Sequence, residues 1–155
     1  MVLPERCSVF TFDGCWRDAV RDGRCLFHLE GKTEAEADLF EQMFFQELER
    51  IEEDVSPYID LSRFIFAKPV HFRNHIFHRV VLFDEAVFER EVYFTGCTFE
   101  GQISFEKTRF RRRVFFESIF KGRVDFFQTK FEQGADFSKV AFKASIYPRV
   151  TDFVF

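Results

Sequence analysis

The sequence predicts a mainly β fold, in which short strands stack into a solenoid behind one N-terminal α-helix. First, phenylalanine makes up 26 of the 155 residues and returns at alternating steps of six and five residues along residues 66–110. Second, small or β-branched residues stand two positions before almost every one of these phenylalanines. Third, an acidic segment directly before the repeat has apolar residues at helical spacing. A fixed period of this kind, which fits neither an amphipathic helix nor an alternating strand, is typical of a solenoid.

The first element, residues 1–32, contains three cysteines and a histidine in the spacing C-x7-C-x9-C-x2-H: Cys7, Cys15, Cys25 and His28. Three thiolates and an imidazole form a closed tetrahedral set for structural zinc, with no open position for catalysis. A short segment with little core of its own gains much from a metal. We therefore predict a structural zinc site. Two alternatives stay open from the sequence alone, namely reduced structural cysteines and disulfide bonds in an oxidising compartment.

The second element, residues 33–56, is predicted to be an amphipathic helix. Thr33 and Glu36 have the spacing of a capping box, and Ser56-Pro57 ends the helix. Its apolar stripe consists of Phe40, Phe44, Leu48, Ile51 and Val55. Because a solenoid exposes an apolar cross-section at each end, we expect this helix to cover the first coil. The alternative is a partner-binding helix.

The third element, residues 57–155, is the predicted solenoid. After Phe110 the sequence shows two further steps of five, to Phe115 and Phe120, so one unit is predicted to be a residue short near 110–116, with Phe116 beside the register position. The full series is Phe66, Phe72, Phe77, Phe83, Phe88, Phe94, Phe99, Phe105, Phe110, Phe115, Phe120, Phe126, Phe131, Phe137 and Phe142, with Phe153 a further eleven residues on.

Residues at positions i and i−2 of an extended segment point to the same side, so each unit is predicted to turn one small and one large side chain inward. Position i−2 is occupied by Val81, Val92, Cys97 and Ile103 among others, whereas Arg113 is an exception at the predicted slip. Burying each ring should stabilise the fold by roughly 1.5–3 kcal/mol. Cys97 is therefore interpreted as a small core residue.

The repeat segment resembles the pentapeptide-repeat family. "IDLSR" at 59–63 and "ADFSK" at 135–139 come close to the family consensus, and "VDFFQ" at 124–128 and "AVFER" at 86–90 are looser matches. The resemblance covers about residues 57–145. It implies a right-handed quadrilateral β-helix whose interior is filled by the side chains at positions i and i−2. The alternation of five and six predicts that one coil takes two steps of each length, and that the segment forms about four coils.

Other candidate sites are interpreted as structural or solvent-exposed residues. His71 and His78 are expected to face outward and His75 inward, so the three histidines do not predict a metal site. The cluster Arg109, Arg111, Arg112 and Arg113 is interleaved with aromatic residues and would suit phosphate contacts. A solvated corner is the favoured interpretation. Neither a glycine-rich phosphate loop nor a recognisable catalytic triad is found in the sequence.

These observations predict a non-enzymatic structural or protein–protein interaction module. One alternative, implied by the resemblance, is a DNA mimic that acts on DNA gyrase. That role needs an acidic rod, whereas residues 64–155 carry 15 Lys/Arg and 11 Asp/Glu. The other is nucleic-acid binding through Arg109–Arg113. Apolar runs too short for a membrane span and the lack of a signal sequence predict a soluble, cytoplasmic protein. The end "SIYPRVTDFVF" predicts a homodimer through the C-terminal end of the solenoid.

Overall fold

A computed structural model describes residues 3–9, 14–144 and 146–147 of the chain. One α-helix, α1, covers Glu34–Glu53 and is followed by short strands. The strands are β1 (Tyr58–Asp60), β2 (Ile65–Phe66), β3 (Val70–Arg73), β4 (Ile76–Phe77), β5 (Val80–Leu82), β6 (Val87–Phe88), β7 (Val92–Phe99), β8 (Ile103–Ser104), β9 (Arg109–Phe110), β10 (Val114–Phe120), β11 (Val124–Asp125), β12 (Lys130–Phe131), β13 (Ala135–Asp136), β14 (Ala141–Phe142) and β15 (Ile146–Tyr147). Among the described residues, no helix combines the length and hydrophobicity that crossing a membrane requires.

The strands form parallel ladders along the four faces of a solenoid. Face 1 is the sheet β1-β5-β8-β11-β15, and face 2 is β2-β6-β9-β12. Faces 3 and 4 share one sheet because β7 and β10 run through the corner between them. Face 3 is completed by β3 and β13, and face 4 by β4 and β14. The predicted mainly β, four-sided solenoid of about four coils, with a helix before it, is confirmed.

The ladder register gives the length of a coil. Tyr58 pairs with Val80, and Val92 pairs with Val114, so each of these coils is as long as two five-residue and two six-residue steps together. The coil that includes residues 117–119 is one residue shorter, since Ile103 pairs with Val124. The coil length predicted from the five/six alternation is therefore confirmed, as is the presence of one coil that lacks a residue.

The predicted position of the slip is wrong. Phe116, not Phe115, pairs with Phe94, and the register shifts only between Glu117 and Ile119. Phe116 is fully buried and Phe115 is half-buried on the outer surface. Val114 is then the residue two positions before the buried ring, so the Arg113 exception disappears. Steps of five and five between Phe110 and Phe120 sum to the same length as six and four, and spacing alone could not separate them.

Buried phenylalanine rings stack in four columns inside the solenoid. Along a column the rings are nearly parallel, with centroids 4.4 Å apart for Phe66 and Phe88 and 4.9 Å apart for Phe99 and Phe120. Rings of different columns meet edge to face. The centroids of Phe83 and Phe94, for example, are 6.0 Å apart and their ring planes are inclined by 76°. Both arrangements suit the quadrupole of the benzyl ring. The interior is therefore a continuous aromatic core.

Buried hydroxyl groups at position i−2 are satisfied by the preceding coil. Thr108 Oγ1 donates a hydrogen bond to the carbonyl of Phe83 at 2.7 Å, and Ser118 Oγ donates to that of Phe94 at 2.8 Å. Cys97 occupies the equivalent position one coil earlier than Ser118 and is buried, as predicted. These bonds avoid the cost of an unpaired buried polar group.

Two glycines stack at the corner that leads into face 1. A Cβ on Gly101 would lie 2.7 Å from the Arg79 carbonyl carbon, and one on Gly122 would overlap the Gly101 carbonyl and lie 2.8 Å from the Gln102 nitrogen. The opposing atoms belong to the backbone and cannot rotate away. The coils thus approach each other closely at this corner.

We expect Gly122→Ala to lower the free energy of unfolding by at least about 1–3 kcal/mol, because the coils must separate to admit the methyl group. Chemical denaturation of both proteins measures the difference. The matched control is Lys121→Ala at the preceding, exposed position, which should cost much less because its ion pair with Glu100 is exposed to solvent. An equal cost for the two variants would contradict the close approach.

Helix α1 begins with the predicted capping box. The Glu36 amide donates to Thr33 Oγ1 at 3.2 Å, and the Thr33 amide donates to Glu36 Oε2 at 2.8 Å. Its buried residues cover the rings of the first coil, where Phe44 meets Phe66 edge to face at 5.0 Å. The prediction that the helix caps the solenoid is consistent with this packing. Val55, predicted to lie in the apolar stripe, is instead 98% exposed, because the helix ends at Glu53 and the chain turns away.

Arg79 holds the end of α1 against the solenoid. Its Nη2 donates to the carbonyls of Ile51 at 3.0 Å and Glu52 at 2.7 Å, and its Nη1 donates to those of Asp54 at 2.8 Å and Ser56. Carbonyls at the end of a helix have no intrahelical partner, and a cation there also compensates the helix dipole. One side chain therefore fixes both the helix end and the linker to β1.

We expect Arg79→Met to lower the free energy of unfolding by about 2 kcal/mol. Each hydrogen bond with a charged partner contributes about 1.5–3 kcal/mol, but water will bind the carbonyls that Arg79 leaves and offset part of the loss. The exposed Arg73 provides the control, because Arg73→Met removes the same charge from the solenoid surface. Hydrogen exchange at the last turn of α1 should accelerate in the first variant only. Unchanged protection there would show that Arg79 is dispensable.

Candidate metal centre

The four predicted ligands come from three pieces of backbone in the N-terminal segment. The stretch around Cys7 runs antiparallel to residues 17–19, with the Cys7 amide donating to the Arg17 carbonyl at 2.9 Å. A tight turn at residues 21–24 reverses the chain. Cys25 and His28 then share one turn, closed by a 3.1 Å hydrogen bond from the His28 amide to the Cys25 carbonyl. The chain thus folds back twice to bring the ligands together.

The ligand atoms have the spacing of a tetrahedral metal site. All four lie within 4.8 Å of one another. Cys15 Sγ and Cys25 Sγ are 3.9 Å apart, and His28 Nδ1 lies 3.5 Å from Cys7 Sγ and 3.3 Å from Cys25 Sγ. Zinc–ligand bonds of about 2.0–2.3 Å in a tetrahedron separate the ligand atoms by about 3.5–3.8 Å. The cysteines are free thiols, and the residues fit a bound metal.

The imidazole of His28 is oriented by the first coil of the solenoid. Its Nε2 donates a hydrogen bond to the carbonyl of Ser62 at 3.1 Å. Because a carbonyl can only accept, the proton lies on Nε2 and the lone pair lies on Nδ1, which faces the sulfur atoms. Phe64 packs edge to face on the same ring at 5.3 Å. A partner on the second ring nitrogen is the usual support of a metal-binding histidine.

The cluster already stabilises negative charge on sulfur. A hydrogen bond from Cys25 lowers the pKa of Cys15 to about 3, with a smaller contribution from Arg17, and burial opposes the shift. The hydrogen bond to Cys15 and then burial raise the pKa of the Cys25 thiol. Arg17 Nη1 lies 3.5 Å from Cys15 Sγ, and its Nε donates to Glu47 of α1 at 2.7 Å. A cation binding here would replace the remaining thiol protons.

The segment that carries the cluster also completes the first edge of face 2. The Ile65 amide donates to the Phe27 carbonyl at 2.9 Å, as the Val87 amide does to the Phe64 carbonyl one coil later. Lys32 Nζ donates to the Ile65 carbonyl at 2.7 Å. Phe27 stacks on Phe64 with centroids 5.2 Å apart. The N-terminal segment therefore takes the place of a missing coil and protects a strand edge.

The three histidines of the first coil each contact a different residue. His71 stacks on Tyr93 at 4.4 Å, and His78 Nδ1 lies 2.7 Å from Glu100 Oε2. His75 was expected to face inward, but it is partly exposed and its Nε2 lies 2.7 Å from Glu52 Oε1. The sequence pattern could not show this, because the helix that supplies Glu52 takes the place of an earlier coil.

The arginine cluster is largely neutralised by acidic residues of adjacent coils. Arg109 pairs with Glu132, and Arg111 Nη1 lies 3.8 Å from Glu89. Arg113 Nη2 lies 3.9 Å from Asp136. Three of the four arginines are thus engaged on the surface of the solenoid, which agrees with the favoured interpretation of a solvated corner.

The architecture defines this chain as a four-sided β-solenoid with a phenylalanine core and an N-terminal cap that contains a Cys/His cluster. A family model described as pentapeptide repeats (9 copies) matches residues 61–108 and, half a coil later, residues 72–119. Residues 61–119 of the repeat segment therefore match the pentapeptide-repeat family, as the sequence predicted. No curated protein and no solved structure matches the chain.

Proposed function

We propose that this protein is a non-enzymatic structural or protein–protein interaction module, a rigid solenoid whose N-terminal cap is held by structural zinc. The main support is the use of the repeat: four stacked ring columns fill the interior, and each coil presents its remaining residues outward. A surface of this kind is stiff, repeats at a fixed spacing and suits the binding of a partner along its length.

The zinc part of the proposal is supported by the donor set and its surroundings. Cys7, Cys15, Cys25 and His28 would fill a tetrahedral coordination sphere, which leaves no position for a substrate or an activated water. The ion would crosslink three pieces of a segment that has little core of its own. Thiolate ligands require a reducing environment, so we also propose a cytoplasmic location.

The experiment that tests the module is affinity capture with the full chain and with variants of single faces, using lysate of the cells that make it. Glu85→Lys changes the corner between faces 1 and 2, and Lys121→Glu changes the end of face 4. We expect one defined protein to be retained in stoichiometric amount and to be lost with only one of these variants. Enzymatic turnover that such a surface change abolishes would overturn the proposal.

The alternatives have less support. A DNA mimic that acts on gyrase needs an acidic rod, whereas the repeat carries an excess of basic residues. Inhibition of gyrase supercoiling by the protein would restore this hypothesis. Nucleic-acid binding through Arg109–Arg113 must compete with the three ion pairs described above. Homodimerisation through the C-terminal end, including Phe153, concerns residues 148–155, which lie outside the described residues, and stays a prediction for sedimentation analysis.

A further inference from the structure

One corner of the solenoid stacks three cations of successive coils. The register aligns Lys68, Arg90 and Arg112 between faces 2 and 3, and Gln133 follows them. Within the described coils, residues 57–144, no other column has three successive like charges. The adjacent column alternates in sign, with Glu89, Arg111 and Glu132. Like charges at equivalent positions of adjacent coils repel each other, so this column calls for an explanation.

Three acidic residues near this corner, Asp38, Glu89 and Glu132, are already engaged elsewhere. Lys68 is paired with Asp38 and lies 3.4 Å from Glu34 of α1. Glu89 pairs with Arg111, and Glu132 pairs with Arg109. Among the described residues, neither Arg90 nor Arg112 has an ion pair or a hydrogen bond from its side chain. Two guanidinium groups on adjacent coils are therefore left without a counter-charge.

A groove of about 560 Å³ lies beside the two arginines, between the first turn of α1 and the corner. Its lining includes two small side chains, Ala37 from the helix and Ala67 from the first coil. Ala67 stands where the next coil has Glu89, so the first coil lacks the side chain that would fill this space. Lys32 and Lys68 also line the groove, which has more cations than anions.

We propose that this groove binds a small phosphorylated molecule whose phosphoryl oxygens bridge Arg90 and Arg112. Adjacent strands are about 4.8 Å apart, which brings both guanidinium groups within reach of one phosphoryl or diphosphoryl group. Guanidinium groups bind phosphate oxygens in a bidentate manner, and a bound dianion would relieve the repulsion within the column.

The ligand is inferred to be small because the basic column is short. Helix α1 closes the groove at one end, and Gln133 replaces the cation at the other end. A continuous polyanion lying along the corner would run past this basic column after three coils. The column thus matches two neighbouring phosphoryl groups better than the backbone of a nucleic acid.

The test is calorimetric titration of the full chain with inorganic pyrophosphate at constant ionic strength, with single-stranded oligonucleotide and acetate as further arms. We expect saturable binding of pyrophosphate that weakens at least tenfold in Arg90→Gln and in Arg112→Gln. Arg73→Gln removes an exposed arginine of face 3 and should leave the affinity within a factor of two. Ala67→Glu restores the residue type of the next coil and should abolish binding while the circular dichroism spectrum stays unchanged.

Three outcomes would overturn the proposal. The first is the absence of saturable pyrophosphate binding up to millimolar concentration. The second is an equal loss in Arg73→Gln and Arg112→Gln, which would show a general charge effect. The third is tighter binding of the oligonucleotide than of pyrophosphate, which would assign the corner to a nucleic acid.

Discussion

Replacement of Phe116 by alanine is expected to lower the free energy of unfolding by about 3–5 kcal/mol. The adjacent replacement, Phe115→Ala, should cost only about 0.5–1.5 kcal/mol. Phe116 is fully buried and stacks between Phe94 at 5.3 Å and Phe137 at 4.9 Å. Removing its ring leaves a cavity that the rigid backbone ladders cannot close. Phe115 lies on the outside and stacks on Tyr93 at 4.9 Å.

The two variants form a matched pair, because they remove the same group from neighbouring residues on opposite sides of one strand. Urea unfolding followed by far-ultraviolet circular dichroism gives both free energies. If Phe115→Ala proved the costlier change, the five-residue step from Phe110 to Phe115 would be the true register, and β10 would be displaced by one residue.

Removal of the proposed zinc ion is expected to detach the N-terminal segment from the first coil and to lower the apparent stability of the cap by about 4 kcal/mol, relative to free zinc at a thousand times its dissociation constant. The same loss should follow from Cys25→Ser, since Cys25 lies within 4 Å of Cys15 and His28. Loss of the cap would also expose the strand edge at Ile65 that Phe27 now covers.

The zinc content of the purified protein, measured by mass spectrometry of the metal, should be one ion per chain and should fall in Cys25→Ser. Cys97→Ser is the control, because this fourth cysteine lies inside the solenoid and a serine occupies the equivalent position of the next coil. Cobalt substitution should give the intense visible bands of a tetrahedral thiolate site. Protein that neither contains nor takes up zinc, and that tolerates Cys25→Ser, would contradict the proposed metal centre.

Most of the solenoid was predictable because its interior repeats. Each ring has a neighbour of the same type one coil away, so the period in the sequence is the period of the packing. Prediction failed where the repeat breaks. The position of the missing residue was wrong because Phe115 and Phe116 are chemically identical, and Val55 was assigned to a helix that Asp54 ends.

The residues of the candidate metal centre could be named from the sequence. The contacts that orient them and dock the neighbouring helix could not be predicted. The Ser62 carbonyl that orients His28, and Arg79, which binds four carbonyls at the helix end, lie far from their partners in the chain. Such contacts depend on how two elements dock, and no local spacing encodes that docking. The groove beside Ala67 was missed for the same reason.

The nearly constant number of residues per coil also indicates how a protein of this kind can change its length over evolution. Duplication of the sequence that encodes one coil would lengthen the solenoid by about 4.8 Å. The inserted coil would pack against the same residue types as the original coil, so no new interface would be needed. The short turn at Glu117 shows that single-residue losses survive where a bulge absorbs them. We expect related chains to differ by whole turns, and to accept small deletions between faces 3 and 4 but not at the glycine corner.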